Sequence, residues 1–210
     1  MQYRCAKFIA TRYLQFAGER NVSQKEVIMN INKLAVFLGV AIATQFSLAE
    51  DGNLQADSFH QIYSSVCQKA LNNPEALKQQ LTKAPQLPPE KAAKFLNGSS
   101  GSAWPIPDKT GLFILSLPDD KNMCSIYARR ANAERVEEKF IQLVSNAHPP
   151  FKAKKIHDAY TTTLSNGEVR TIEYEWSVEN SKRKLLFTLT TSKLATAEIQ
   201  ALGSMSLASE

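Results

Sequence analysis

From Phe59 onward the apolar residues Phe59, Ile62, Tyr63, Val66, Cys67, Ala70 and Leu71 recur at intervals of three and four. That spacing gathers them on one face of an α-helix, with Asp57 or Ser58 as the expected N-cap and Cys67 turned toward the core. Asn73-Pro74-Glu75 reads as the cap and first turn of a second helix carrying Leu77 and Leu81. Leu87-Pro88-Pro89-Glu90 opens a third, with Ala92, Ala93, Phe95 and Leu96, which stops at the C-cap signal Asn97-Gly98. The stretch Gly98 to Pro105 is rich in Gly and Ser, and it predicts a flexible linker whose Trp104 packs back on the domain. Exposed instead, Trp104 would be the best aromatic anchor for a ligand or partner.

The pattern then changes period. Gly111 to Leu117 is an apolar, β-prone run, and Pro118 to Asn122 reads as a turn into a strand from Met123 to Arg129. Alternation there puts Cys124, Ile126 and Ala128 on one face and Met123, Ser125, Tyr127 and Arg129 on the other. Asn132 caps a helix with Ala133, Val136, Phe140, Leu143 and Val144 along one side, leaving Glu134, Glu137 and Glu138 for a solvated face. Ile156 to Leu164 is a Thr-rich strand, and Ser165-Asn166-Gly167-Glu168 is a strong hairpin signal. In the returning strand Ile172, Tyr174, Trp176 and Val178 alternate with Thr171, Glu173, Glu175, Ser177 and Glu179. Leu185, Phe187 and Leu189 mark a further strand, and the tail from Lys193 fits either a short helix or a last strand. The order ααα-ββ-α-βββ predicts an α+β fold, an antiparallel sheet with helices packed on one face.

Ahead of this domain lies Met29 to Ala49. Lys33, the unbroken apolar run Leu34 to Ala43 and the small residues of Ser47-Leu48-Ala49 form a secretory signal peptide, cut after Ala49. A membrane anchor is the alternative, but a spanning helix needs about 20 apolar residues. Residues 1–28 then read as a mis-called leader or an N-terminal extension, and residues 50–210 as one domain. Export changes the charge: of the 25 basic and 20 acidic side chains, six and two precede Glu50, so a net charge of +5 falls to +1. The basic footprint needed for nucleic acid is therefore missing. No membrane association is expected once the signal is removed. Two cysteines remain, Cys67 and Cys124. In an oxidising compartment they have one possible intramolecular pairing, a structural disulfide closing a loop of 57 residues. A reactive thiol is the alternative, although neither cysteine has a Cys-x-x-Cys partner or an adjacent His.

The helix with Phe59 and Cys67, Leu87-Pro88-Pro89 before Phe95-Leu96-Asn97-Gly98, Trp104, and Cys124-Ser125-Ile126-Tyr127-Ala128-Arg129 together resemble a family of small exported proteobacterial proteins of unassigned function. The resemblance covers residues 54–150. It implies a periplasmic protein with Cys67 paired to Cys124, and it implies no activity.

Candidate chemistry is sparse. His60, His148 and His157 lack metal-ligand spacing, so neither a metal nor another cofactor is expected. His157-Asp158 is a poor triad fragment, because neighbours on a strand point to opposite faces. Glu173 and Glu175 stand about 6.6 to 7 Å apart along a strand, a separation some glycosidases use. Exposed acids opposite an apolar face are also what a half-buried strand shows, with Lys182, Arg183 and Lys184 as cross-strand neutralisers. Arg129 and Arg130, with Tyr127 beside Arg129, could bind an anion or a peptide carboxylate. The expectation is a periplasmic or secreted binding module, not an enzyme, with a protein or envelope component as partner and Trp104, Tyr127 and Arg129 as its surface. The alternatives are a hydrolase on His157 or the Glu173/Glu175 pair, or an immunity protein for an exported toxin.

Overall fold

The computed structural model describes residues 43–164 and 166–209, with side chains from Glu50. The expected leader, and all of the export signal before Ala43, lie outside the described residues. The elements are α1 (Ala43–Asn72), α2 (Pro74–Leu81), α3 (Pro89–Leu96), β1 (Gly101–Asp108), β2 (Gly111–Pro118), β3 (Met123–Ala128), α4 (Ala133–Ser145), β4 (Lys152–Thr163), β5 (Gly167–Ser177), β6 (Arg183–Ser192) and β7 (Ala201–Ser209). All seven strands form one antiparallel sheet in the order β1-β2-β3-β7-β6-β5-β4. The fold is α+β. None of the described helices is long and apolar enough to cross a membrane.

Several elements follow their local signals. The Asn73 side chain accepts from the Ala76 amide and the Asn132 side chain from that of Arg135, each meeting an orphan donor of a first turn. Asn97 takes the left-handed conformation at the end of α3, with φ 49°.

Three expectations are corrected and one open alternative is decided. The helix does not start at Asp57 or Ser58: it already runs from Ala43, so neither is needed as a cap, and their side chains bond instead to Arg135 and, from the Ser58 hydroxyl, to Asp108. The Gly/Ser stretch is not a linker from Gly101 on. It becomes β1, joined to β2 by a turn in which Asp108 Oδ1 accepts from the Thr110 amide and hydroxyl. Pro105 and Pro107 are tolerated because β1 is an edge strand. Of the two readings of the tail, the last strand is the one observed: it is β7, inserted between β3 and β6 at the middle of the sheet. Finally, the helices do not all share one face: α1, α2 through Leu77, and α4 join the main core. α3 packs on the other face, where Ala92 and Leu96 meet Ala103, Ile114 and Tyr127.

The main core lies between the sheet and the pair α1 and α4. Phe59, Tyr63 and Cys67 of α1 are at most 2% exposed, each large ring contributing roughly 1.5–3 kcal/mol of burial. Cys67 is bonded to Cys124 of β3, so the covalent link pins α1 to the centre of the sheet. The rings of Phe59 and Tyr63 lie over Gly203 of β7, where an added Cβ would come 3.0 Å from both. The Tyr63 ring has little room to retreat, since its hydroxyl donates to the Ser204 carbonyl at 2.9 Å. Gly203→Ala is therefore expected to cost about 1–3 kcal/mol by overpacking, measured as a fall in the urea midpoint. An unchanged midpoint would show that the helix shifts freely.

An ion cluster locks α1 to α4. Arg135 Nε and Nη2 donate to the two Asp57 oxygens at 2.7 and 2.8 Å, and Lys139 Nζ approaches at 3.1 Å. The bond from Arg135, opposed by some burial and helped by Lys139, brings the Asp57 carboxyl down to about 2 from an ordinary value of 3.8. A depressed carboxylate contributes stability that is present above its unfolded value and lost as pH falls through the folded one. The stability gap between the wild type and Asp57→Asn is thus expected to close between pH 4 and pH 2, as followed by denaturation at each pH. A gap that persists at pH 2 would mean that Asp57 acts through packing.

Candidate functional site

An open cleft of about 1890 Å³ lies where the N-terminal part of α1, the end of α3, the ends of the β2 and β3 strands and the loop before β7 converge. Its floor is the α3 side of the sheet. Ile114 and Tyr127 are buried there, and the Phe95 ring meets Tyr127 edge-on at 5.0 Å. The Tyr127 hydroxyl donates to the Phe95 carbonyl at 2.9 Å, tying α3 to β3. These contacts follow from alternation in β3, which turns Tyr127 away from the disulfide face, and from the Leu96/Ala92 stripe of α3 that covers it.

The opposite wall is built on Gln200, which is 5% exposed. Its Oε1 accepts from the Arg130 amide, and its Nε2 donates to the carbonyls of Leu194 and Ala195 at 3.1 and 3.2 Å. Its own amide donates to the Ala128 carbonyl at 3.1 Å. One buried side chain thereby holds the Arg129-Arg130 turn against the 193–200 loop. Arg130 sits at φ 78°, a conformation costly for a side chain with a Cβ and found where neighbours over-determine the backbone. Gly52 of α1 closes the same corner: the Asn132 amide donates to its carbonyl at 2.9 Å, and a Cβ on Gly52 would meet the Arg130 carbonyl at 3.3 Å.

Charge around the mouth is mainly positive. Lys94 bridges to Glu198 at 4.0 Å and Lys193 to Glu134 at 2.7 Å. Lys109, Arg129 and Arg130 are exposed and form no ion pair among the described residues, while Asp51 is the remaining acid. Inside, Gln55 is 4% exposed and its Oε1 has no hydrogen-bond partner among the described residues. Its Nε2 end fills the space above Gly111, where a Cβ would lie 2.0 Å away. An unpaired acceptor shut away from water costs roughly 1–3 kcal/mol, so a donor supplied by a ligand would be favoured.

Of the three residues expected to form a surface, Tyr127 and Arg129 come together at this cleft and Trp104 does not. Trp104 is 5% exposed in the main core, on the face that α1 and α4 cover, so it offers no exposed anchor. Tyr127 is buried too, as cleft floor. Glu173 opposes His157 across β4 and β5, and burial raises its carboxyl while His157 pulls it down. Glu175 bonds instead to Lys184 at 3.5 Å. None of these three lines the cleft. No group of three or more His, Cys, Asp or Glu among the described residues could hold a metal.

Glu137 departs most from its expected solvated place. It is 7% exposed, accepts from the Thr191 hydroxyl at 2.5 Å and from Arg170 Nη1 at 2.6 Å. Arg170 also grips both oxygens of Asp158, at 2.9 and 3.0 Å, and its guanidinium lies 5.5 Å from the centre of the Tyr160 ring. The signal was present in α4: Ala133, Val136, Glu137, Phe140 and Val144 share one face. No protein-family model, curated protein or solved structure matches the chain.

Proposed function

We propose that the protein is an exported, periplasmic binding module of the small proteobacterial type its sequence resembles, and that it holds its ligand in the cleft between α3, the start of α1 and the loop before β7. The cleft itself carries this reading: an apolar floor, cationic side chains at the mouth without carboxylate partners, and a buried acceptor still lacking a donor. The buried disulfide suits an oxidising compartment. Cleavage after Ala49 would leave Glu50 as the first residue, next to Asp51 at the cleft mouth. A hydrolase would need Glu173 and His157, which lie outside the cleft, and an immunity role has no residue of its own. Envelope material is the natural source of a ligand.

Native mass spectrometry of the full chain expressed in a bacterial host, purified from the periplasm without denaturation, tests the proposal. The expected result is a chain beginning at Glu50, oxidised at Cys67 and Cys124, carrying a non-covalent small molecule. An unprocessed cytoplasmic chain with free thiols would overturn it.

A further inference from the structure

Resting on that binding-module reading, the geometry points to a definite ligand class: an acyl-chain amphiphile with an anionic head and an N–H or O–H donor beside the head, taken with its chain on the cleft floor. Three independent features converge on it. Phe95, Ile114 and Tyr127 present a continuous apolar floor suited to an alkyl chain, and the cleft of about 1890 Å³ has room for one. Arg129 and Arg130 stand at one end of that floor with no carboxylate partner, on a turn that Gln200 holds rigid from beneath. Two neighbouring arginines on a backbone turn fixed in this way favour an anion, which guanidinium groups can hold with paired hydrogen bonds. Gln55, at the α1 wall, adds an acceptor and so asks for a donor. Its helix packs against the arginine turn through Gly52, which places the two polar features at the same end of the cleft.

N-dodecanoylglycine has all three parts: a chain, an amide N–H and a carboxylate. Its glycinamide analogue loses the charge, and dodecanoyl glycolate replaces the N–H by an ester oxygen. Calorimetric titration of the oxidised protein, below the micelle-forming concentration, is expected to rank the acylglycine first. Each analogue should bind about ten- to a hundredfold more weakly, the range for a lost hydrogen bond to a charged group or to a buried acceptor. Arg129→Ala and Arg130→Gly, the glycine suiting the positive φ, should remove the preference for carboxylate over glycinamide. Gln55→Leu should remove the preference for amide over ester while keeping that for carboxylate. If Gln55→Leu does not fold, the arginine variants still decide the matter. Equal binding of all three compounds, or variants that weaken all three equally, would overturn the inference. A ligand of another class recovered from the periplasm would overturn it too and leave the proposed function standing, whereas a processed protein that binds nothing defeats both.

Discussion

Replacing Cys67 and Cys124 together by alanine is expected to lower the stability of the folded chain by about 4 kcal/mol. The disulfide joins residues 57 apart, and closing a loop of that length removes conformational freedom chiefly from the unfolded chain. Both cysteines are completely buried within the main core, so the native packing around them adds to the loss. Urea denaturation of the oxidised protein and the double variant measures the difference. A steeper denaturant dependence should accompany it, since an uncrosslinked unfolded chain exposes more surface. A difference below about 1 kcal/mol would mean that helix packing alone secures α1 to the sheet, against the chain-entropy expectation.

Arg170→Met is expected to be nearly as damaging, at about 3–5 kcal/mol near neutral pH, the usual effect of stripping one partner from a buried ion pair. It would leave Glu137, 7% exposed, with the Thr191 hydroxyl as its partner, and would leave Asp158 with Lys155 alone. The informative comparison is the double variant Glu137→Met/Arg170→Met. With both charges gone, apolar side chains of similar length can fill the space, and much of the loss should return. A double variant as unstable as the single one would show that Arg170 works mainly through Asp158 and Tyr160. Either way the site affected is the join of α4 with β4, β5 and β6, one helical turn from Glu134 and next to Ser192 at the cleft wall.

The parts of the fold that were legible in the sequence are those set by local rules. The three- and four-residue spacing of Phe59 to Leu71 needed only helical geometry, and the caps at Asn73 and Asn132 only an amide in search of an acceptor. Asn166-Gly167 marked its hairpin because Gly167 sits at φ 61°. What was missed depended on distant partners. Gly101 to Pro105 looks like part of a linker because small residues and proline lack strand propensity; its pairing with β2 overrides that. β7 gave little apolar alternation because Gly203 must stay small beneath Phe59 and Tyr63. Glu137 looks solvated in the sequence because its partner lies 33 residues away, on β5. The cleft brings together six stretches of chain. Arg129 and Tyr127 could be singled out from the sequence, but Gln55 and Gln200, which give the cleft its unmet acceptor and its rigid wall, carry no sequence signal as isolated glutamines.

The central claim is that the cleft, and not the outer face of β4 to β6, is where this protein binds. Amide chemical-shift mapping of the oxidised, isotopically labelled protein tests it most directly, with 1-anilinonaphthalene-8-sulfonate as an apolar anionic probe. Saturable perturbations centred on Phe95, Ile114, Arg130 and Ile199 are the predicted result. Perturbations centred on His157, Glu173 and Thr188, with the cleft unmoved, would contradict it.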